Sequence, residues 1–313
     1  MSESSDKQFK GRKHIFNKLK MSQKPIIKFG GCGGFYHYYM GICACLQDNY
    51  DINELSFETT SGSNFGPAIL FKNIPVLEHY KVWQKRKEHF VNNNSVYDIL
   101  KNMKEFFHTH CKECYQLETN CQLENINHSV KIKNYETNQN EIISDFKNID
   151  DYVFICVASS YFPIPYLQTY MYSKERNTKY CDGSLDKYWY ITMFLLPFLY
   201  LKKYLLSFFY KKEPHKKPEN DYIIETELEI LNEYILPIKY IFLLYYTIIG
   251  LFTNQHWLYH TGYYYAYKNI KPKLNKLNIK PKPKEQVYSQ DKYKDLSNFK
   301  LKFDINTKQF IDN

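Results

Sequence analysis

Glycine and proline are both scarce in this chain, 11 and 12 among 313 residues, which excludes collagen-like and low-complexity architectures. The first segment, Met1–Lys20, is polar and basic and lacks the apolar core of a secretory signal. No uninterrupted apolar run reaches the roughly 20 residues that a membrane-spanning helix needs. The strongest, Tyr240–Phe252, has 13, and Pro237, Lys239 and Asn254 break its extension. Tyr188–Leu201 carries no charge but is equally short. No internal repeat is visible.

Apolar residues make up 44% of the chain and charged residues 24%, the balance of a folded protein rather than a disordered one. The length allows one large α/β domain with a sizeable core. Tyr (31) and Phe (22) dominate an aromatic fraction of 18%, which together with abundant Lys, Asn and Ile is as much the mark of an AT-rich genome as of a function. The net charge of +9 suits an anionic membrane surface or nucleic acid equally. Nucleic acid is not expected as a partner, because no recognition motif accompanies the lysines. Eight cysteines without a secretory signal read as reduced thiols, which points to a cytoplasmic protein peripheral to membranes.

Four sections are expected: a basic leader (1–23), an α/β domain (24–190), an apolar, aromatic, helical region that contacts membrane (191–267) and a Lys-rich tail (268–313). In the second section a short β-rich run, Pro25–Phe29, stops at Gly30-Gly31-Cys32-Gly33-Gly34, which holds four of the eleven glycines. Helical spacing follows from Phe35 to Leu46. A second strand, Leu55–Thr60, leads into Ser61-Gly62-Ser63-Asn64-Phe65-Gly66 and an apolar segment in which Pro67 suits an early helical turn. Two strand–turn–helix units in succession argue for a parallel sheet with helical crossovers. Val76 to Gln116 reads as helices, and 128–134 with 141–146 as a hairpin around Asn138-Gln139-Asn140. Asp151–Ala158 reads as a strand buried on both faces.

Three elements carry chemistry. A glycine loop after a first strand crowds backbone N–H groups into an oxyanion hole. A strand-to-helix turn with the frame Gly-x-x-x-Gly, here Gly62 and Gly66, is the form of a nucleophile elbow. Asp182-Gly183 places a carboxylate at the end of a later strand.

In this order the three resemble the patatin-like phospholipases. Gly30-Gly31-Cys32-Gly33-Gly34-Phe35-Tyr36-His37 resembles the G-G-x-x-G-[IF]-Y-H run of the animal triglyceride-lipase branch, and Cys45-Leu46 a Cys-Leu pair in the following helix. Val157-Ala158-Ser159-Ser160 with Pro163 and Pro165 resembles the A-S-x-x-x-P segment, and Tyr180-Cys181-Asp182-Gly183-Ser184 the strand that ends in D-G-[GAS]. The resemblance spans about residues 24–190. It implies a three-layer α/β/α fold around a mainly parallel sheet, no cofactor and a lipid or membrane partner. It also implies hydrolysis of a phospholipid or acylglycerol ester by a Ser/Asp dyad. Asp182 would be the base, and Gly30, Gly31 and Cys32 would supply the oxyanion hole.

The chain departs from the family at the elbow. Laid on its glycines, G-x-S-x-G puts Asn64 at the nucleophile position; shifted by one, it puts Ser63 there, with Ser61 and Phe65 where glycines are usual. Phe29 likewise occupies the first of three usual glycine positions. Ser63 would make the chain an active hydrolase. Asn64 would make it an inactive homologue that binds lipid or a protein partner, since an amide forms no acyl-enzyme.

Two further constellations stand in the sequence. His108, His110, Cys111, Cys114 and Cys121 have partial zinc-ligand spacing, but no second Cys-x-x-Cys or His pair completes a tetrahedral set, so no metal is expected. Ser63, Asp182 and His256 or His260 fall in α/β-hydrolase order, but that fold's elbow follows several strands rather than the second.

Overall fold

A computed structural model of the chain describes residues 24–70, 75–95, short pieces between 97 and 109, 127–161, 170–184, 222–226 and 256–282, and the backbone of 301–304 and 309–312. β1 (Ile26–Phe29), with alternate residues buried, enters the glycine loop, and α1 (Tyr36–Asn49) leaves it. β2 (Ser56–Thr60) is followed by a tight turn, Ser61–Asn64, and α2 (Phe65–Leu70), with Pro67 inside its first turn. Then come α3 (Val76–Asn92) and the hairpin of β3 (His128–Asn134) and β4 (Asn140–Ile143). The left-handed turn residue of that hairpin is Asn138, at φ 57°, a conformation asparagine tolerates well.

β1 pairs in parallel with β2, and β2 with β3; β7 (Ile223–Thr226) flanks β1 in parallel on its other edge. β4 and β6 (Thr178–Cys181) run antiparallel to β3, and β5 (Met171–Ser173) antiparallel to β6. The result is an α/β fold with a mixed, mostly parallel sheet and flanking helices. A separate antiparallel pair joins 301–304 to 309–312.

Asp151–Ala158 is not the strand expected from its apolar run. It lies in α4 (Ile149–Ser159). The Asn148 side chain caps that helix by accepting from Asp151 N–H at 2.8 Å, and Asp150 and Asp151 bring negative charge to its first turn, both helix-start signals. The run is apolar throughout because α4 is buried almost all round, which erases the periodicity that separates helix from strand. Asp151 is buried and paired with Arg176, whose Nη2 and Nε lie 2.7 and 3.0 Å from its carboxylate.

All fourteen residues of α1 are buried. α5 (His256–Tyr265) covers its outer side, burying Leu258, Tyr259 and Tyr263. The two helices touch backbone to backbone. A β-carbon on Gly41 would stand 1.9 Å from the Tyr259 carbonyl oxygen, and one on Gly262 1.9 Å from that of Tyr38. This part of the apolar, aromatic stretch therefore serves the core. The Lys-rich stretch after it forms a π turn, Ala266–Ile270, and α6 (Lys271–Lys276). Lys271 Nζ donates to Asn49 Oδ1 at 2.8 Å and Lys282 N–H to Asn49 O at 2.7 Å, so these lysines tie down the C-terminal end of α1. Among the described residues no helix is long and apolar enough to cross a membrane; 188–201 and 240–252 lie outside them.

Candidate active site

The register of β3 builds the site. Lys131 faces Thr60 of β2 across one edge and Ile142 of β4 across the other. Lys133 faces Asn140, again of β4, and Cys181 of β6. β2 and β6 therefore share the edge of β3 opposite β4. β2 runs parallel to β3 and β6 antiparallel, so the two meet head to head. Ser61 and Asp182 are the residues just past the two strand ends.

They touch. Ser61 Oγ donates to Asp182 Oδ2 at 2.5 Å. Ser61 is held at φ 62°, a left-handed conformation that a residue with a β-carbon seldom adopts and that marks a strained elbow. Its own amide donates to Ser159 Oγ at 3.1 Å, and its carbonyl accepts from Ser160 Oγ at 2.8 Å. The end of α4 holds the other strand as well. Asp182 N–H donates to Tyr161 O at 3.1 Å, Gly183 N–H to Ser159 O at 3.3 Å, and Ser159 Oγ to Lys131 O at 2.6 Å. Gly183 is required by space, because a β-carbon there would lie 2.4 Å from the Lys131 carbonyl oxygen.

Asp182 is 2% exposed, and burial pushes its carboxyl above the usual range. Hydrogen bonds from Ser184 and Ser61 and the charge of Lys133 oppose that shift by favouring the ionised form. Such a carboxylate has the character of a general base.

Ser63 and Asn64 stand elsewhere. Ser63 Oγ accepts from Thr60 N–H at 3.1 Å and donates to Thr60 O at 2.8 Å, half of a reciprocal capping box with Thr60. Asn64, fully buried, donates to Cys156 O at 3.2 Å and accepts from Thr59 Oγ1. Because that Thr59 proton is used on Asn64, the His128 Nε2 atom 2.6 Å from Thr59 Oγ1 must carry its own proton, and Nδ1 then accepts from Tyr152 OH at 2.8 Å. A neutral His128 thus completes a directional chain under the elbow, and burial drives its pKa down to about 3. Neither Ser63 nor Asn64 is bonded to Asp182.

Ser61 was hidden from the motif because the flanking glycine positions of a frame centred on it are filled by Thr59 and Ser63. Both of those side chains have the structural tasks just described. The signal that finds it is the strand end, since β2 ends at Thr60 and Ser61 follows directly. Gly66, which misled the glycine-matched frame, is needed for packing on α1, where a β-carbon would lie 2.9 Å from Cys43 Sγ and 3.0 Å from Tyr39 O.

The glycine loop abuts the elbow. A β-carbon on Gly31 would be 3.8 Å from Ser61 Cβ and 2.9 Å from Ser184 Cβ. One on Gly62 would be 2.7 Å from Gly33 O and 3.2 Å from Cys32 Sγ. Gly33 takes φ 52°, and Gly30 lies at the exposed start of the loop. Cys32 is buried beside Asp182, and burial and that carboxylate hold it as a neutral thiol.

Among the described residues no group of His, Cys, Asp or Glu has the arrangement of a metal site. His110, Cys111, Cys114 and Cys121 lie outside them. His256 is bonded through Nδ1 to Tyr80 OH at 2.9 Å, and the His260 ring packs against Tyr259.

No family profile matches the chain, and no curated protein matches it. Among solved structures it is similar to the crystal structure of VipD from Legionella pneumophila, at 11% identity and a TM-score of 0.27, over 52% of this chain and 46% of that one. The chain thus matches less than half of VipD's length, and a likeness this slight carries no argument about activity.

Proposed function

We propose that the chain is a lipid acyl hydrolase of the patatin-like kind, with Ser61 as nucleophile and Asp182 as general base. The observation that carries this reading is the 2.5 Å hydrogen bond between Ser61 Oγ and Asp182 Oδ2 at a left-handed elbow. Asp182 takes the Ser61 proton as Oγ attacks the ester carbonyl. The negative charge that develops on the carbonyl oxygen falls to backbone N–H groups of Gly30, Gly31 and Cys32, next to the start of α1, where the helix dipole favours an anion. As the intermediate collapses, the ester C–O bond breaks and Asp182 gives its proton to the departing alcohol. The ionised carboxylate then activates the water that hydrolyses the acyl-enzyme, and the proton it takes returns to Ser61 Oγ. In this reading the fold is the three-layer patatin-like one, no cofactor takes part, and the substrate is a phospholipid or acylglycerol met at a membrane surface by a cytoplasmic protein.

An inactive homologue would carry Asn64 at the elbow, whereas the Asn64 side chain is bonded to Thr59 and Cys156 beneath it. The test is hydrolysis of short- and long-chain p-nitrophenyl and phospholipid esters, with fluorophosphonate labelling mapped by mass spectrometry. Wild type should turn over and label on Ser61. Ser61→Ala and Asp182→Asn should lose at least a thousandfold, while Ser63→Ala keeps its label. A wild type that neither hydrolyses nor labels would return the inactive homologue.

A further inference from the structure

Asp182 receives more hydrogen bonds than a two-residue dyad requires. Oδ2 faces Ser61 Oγ at 2.5 Å. Oδ1 accepts twice from one residue, from Ser184 N–H at 2.7 Å and from Ser184 Oγ at 2.6 Å. A carboxylate oxygen has two acceptor positions, so Ser184 fills Oδ1 by itself. Turning the carboxyl about its bond to Cβ would break both of these bonds along with the bond to Ser61. Ser184 also lies against the glycine loop, its Cβ in space that a side chain on Gly31 would need, 2.9 Å from where that β-carbon would stand.

We propose that Ser184 is a positioning residue for Asp182: its hydroxyl locks the carboxylate so that Oδ2 alone is presented to the Ser61 proton, and it ties that orientation to the glycine loop. This rests on the hydrolase reading for its role in turnover. The effect on the carboxylate follows from the geometry whatever the reaction. The hydroxyl donates only to Oδ1, so it favours ionised Asp182 over protonated Asp182. Removing it raises the pH at which Asp182 ionises. A donor to a charged group is strong enough to move that midpoint by about one pH unit. Ser61 and Lys133, which also favour the ionised form, are unchanged in the same variant.

Ser184 is an exposed residue bonded to a buried carboxylate, so replacing it leaves the core intact. Two variants separate hydroxyl from packing. Ser184→Ala keeps the β-carbon against Gly31, whereas Ser184→Gly removes it as well; both retain the backbone N–H bond to Oδ1. The rate of Ser61 labelling by a fluorophosphonate is followed against pH in wild type and both variants. In parallel, the Asp182 13Cγ resonance, assigned by its absence from Asp182→Asn, is titrated by NMR. The expected result is an acid limb and a carbon titration that both move up by about one pH unit in Ser184→Ala and in Ser184→Gly alike. Ser184→Ala profiles that superimpose on wild type would overturn the proposal, and so would an effect confined to Ser184→Gly. If wild type fails to label, the hydrolase reading fails, yet the carbon titration still decides: an upward shift upholds the action of Ser184 on Asp182, and an unmoved midpoint refutes it.

Discussion

Thr60 and Cys181 end their strands two positions apart on one edge of β3, opposite Lys131 and Lys133 and pointing at each other. That meeting of strand ends brings together the side chains of Ser61 and Asp182, 121 residues apart in sequence. The elbow and the aspartate turn are then fastened to one another through Ser159 and Ser160 at the end of α4.

Gly183→Ala should open this junction. The added carbon meets backbone 2.4 Å away, so β3 and the Asp182 turn must separate. We expect a loss of about 1–3 kcal/mol in urea unfolding. Ester hydrolysis should fall by at least tenfold as the Ser61–Asp182 contact lengthens. Stability and activity equal to wild type would mean that the strand ends have slack the geometry denies.

Asn64→Ser, which would create a nucleophile if Asn64 occupied the elbow, should create none here. The shorter side chain leaves Thr59 Oγ1 or Cys156 O without its bond, and a buried group so deprived costs about 1–3 kcal/mol. Thermal unfolding should therefore fall while labelling remains on Ser61. Mass-spectrometric detection of a label on residue 64 would contradict the assignment.

His128 sets a pH dependence whose sign is fixed. Its pKa is about 3 in the fold and near 6.5 in the unfolded chain, so below pH 6.5 the unfolded state binds a proton that the native state refuses. Its contribution to stability is whole above pH 6.5 and is lost as pH falls toward 3, at up to about 1.4 kcal/mol per pH unit. Asp182 acts oppositely, because its raised pKa relieves the fold as acid protonates it. Urea midpoints measured from pH 7 to pH 4 should fall for wild type and flatten for His128→Gln; parallel curves would remove His128 from the account.

Much of this arrangement is legible in the sequence, and the failures have physical causes. The glycine loop, β1, α1, β2, the hairpin and Asp182 are marked by local signals: glycine clusters, alternation, a turn of asparagines and a strand that ends in Asp-Gly. α4 is marked only at its start, by Asn148, Asp150 and Asp151, because burial almost all round removes the polar stripe that reveals a helix. Ser61 is not, because glycine is usually needed on both sides of an elbow serine. Here Thr59 and Ser63 fill those places with side chains that bond inward, while the tightest approach has moved to Gly62. The head-to-head meeting of β2 and β6 is a matter of register, which no motif encodes.

Gly41→Ala should destabilise the protein by about 3 kcal/mol or more, since helix backbones must part to admit one carbon now 1.9 Å from an oxygen. Gly262→Ala should match it, and the double variant should cost less than the sum, because a single separation of the helices accommodates both carbons. Differential scanning calorimetry of the three variants checks this; strictly additive losses would mean that the two glycines relieve separate contacts.

The covering of α1 by α5 also bears on how the protein is made. The helix that leaves the glycine loop is synthesised more than two hundred residues before the helix that shields it, and β7, the outer neighbour of β1, is also a late arrival. A nascent chain that has reached residue 190 would hold Ser61 and Asp182 but expose the side of α1 that α5 covers and the edge of β1 that β7 pairs with. Such a fragment is a substrate for chaperones and proteases. β7 and α5 are thus the late pieces that close over β1 and α1, the elements made first.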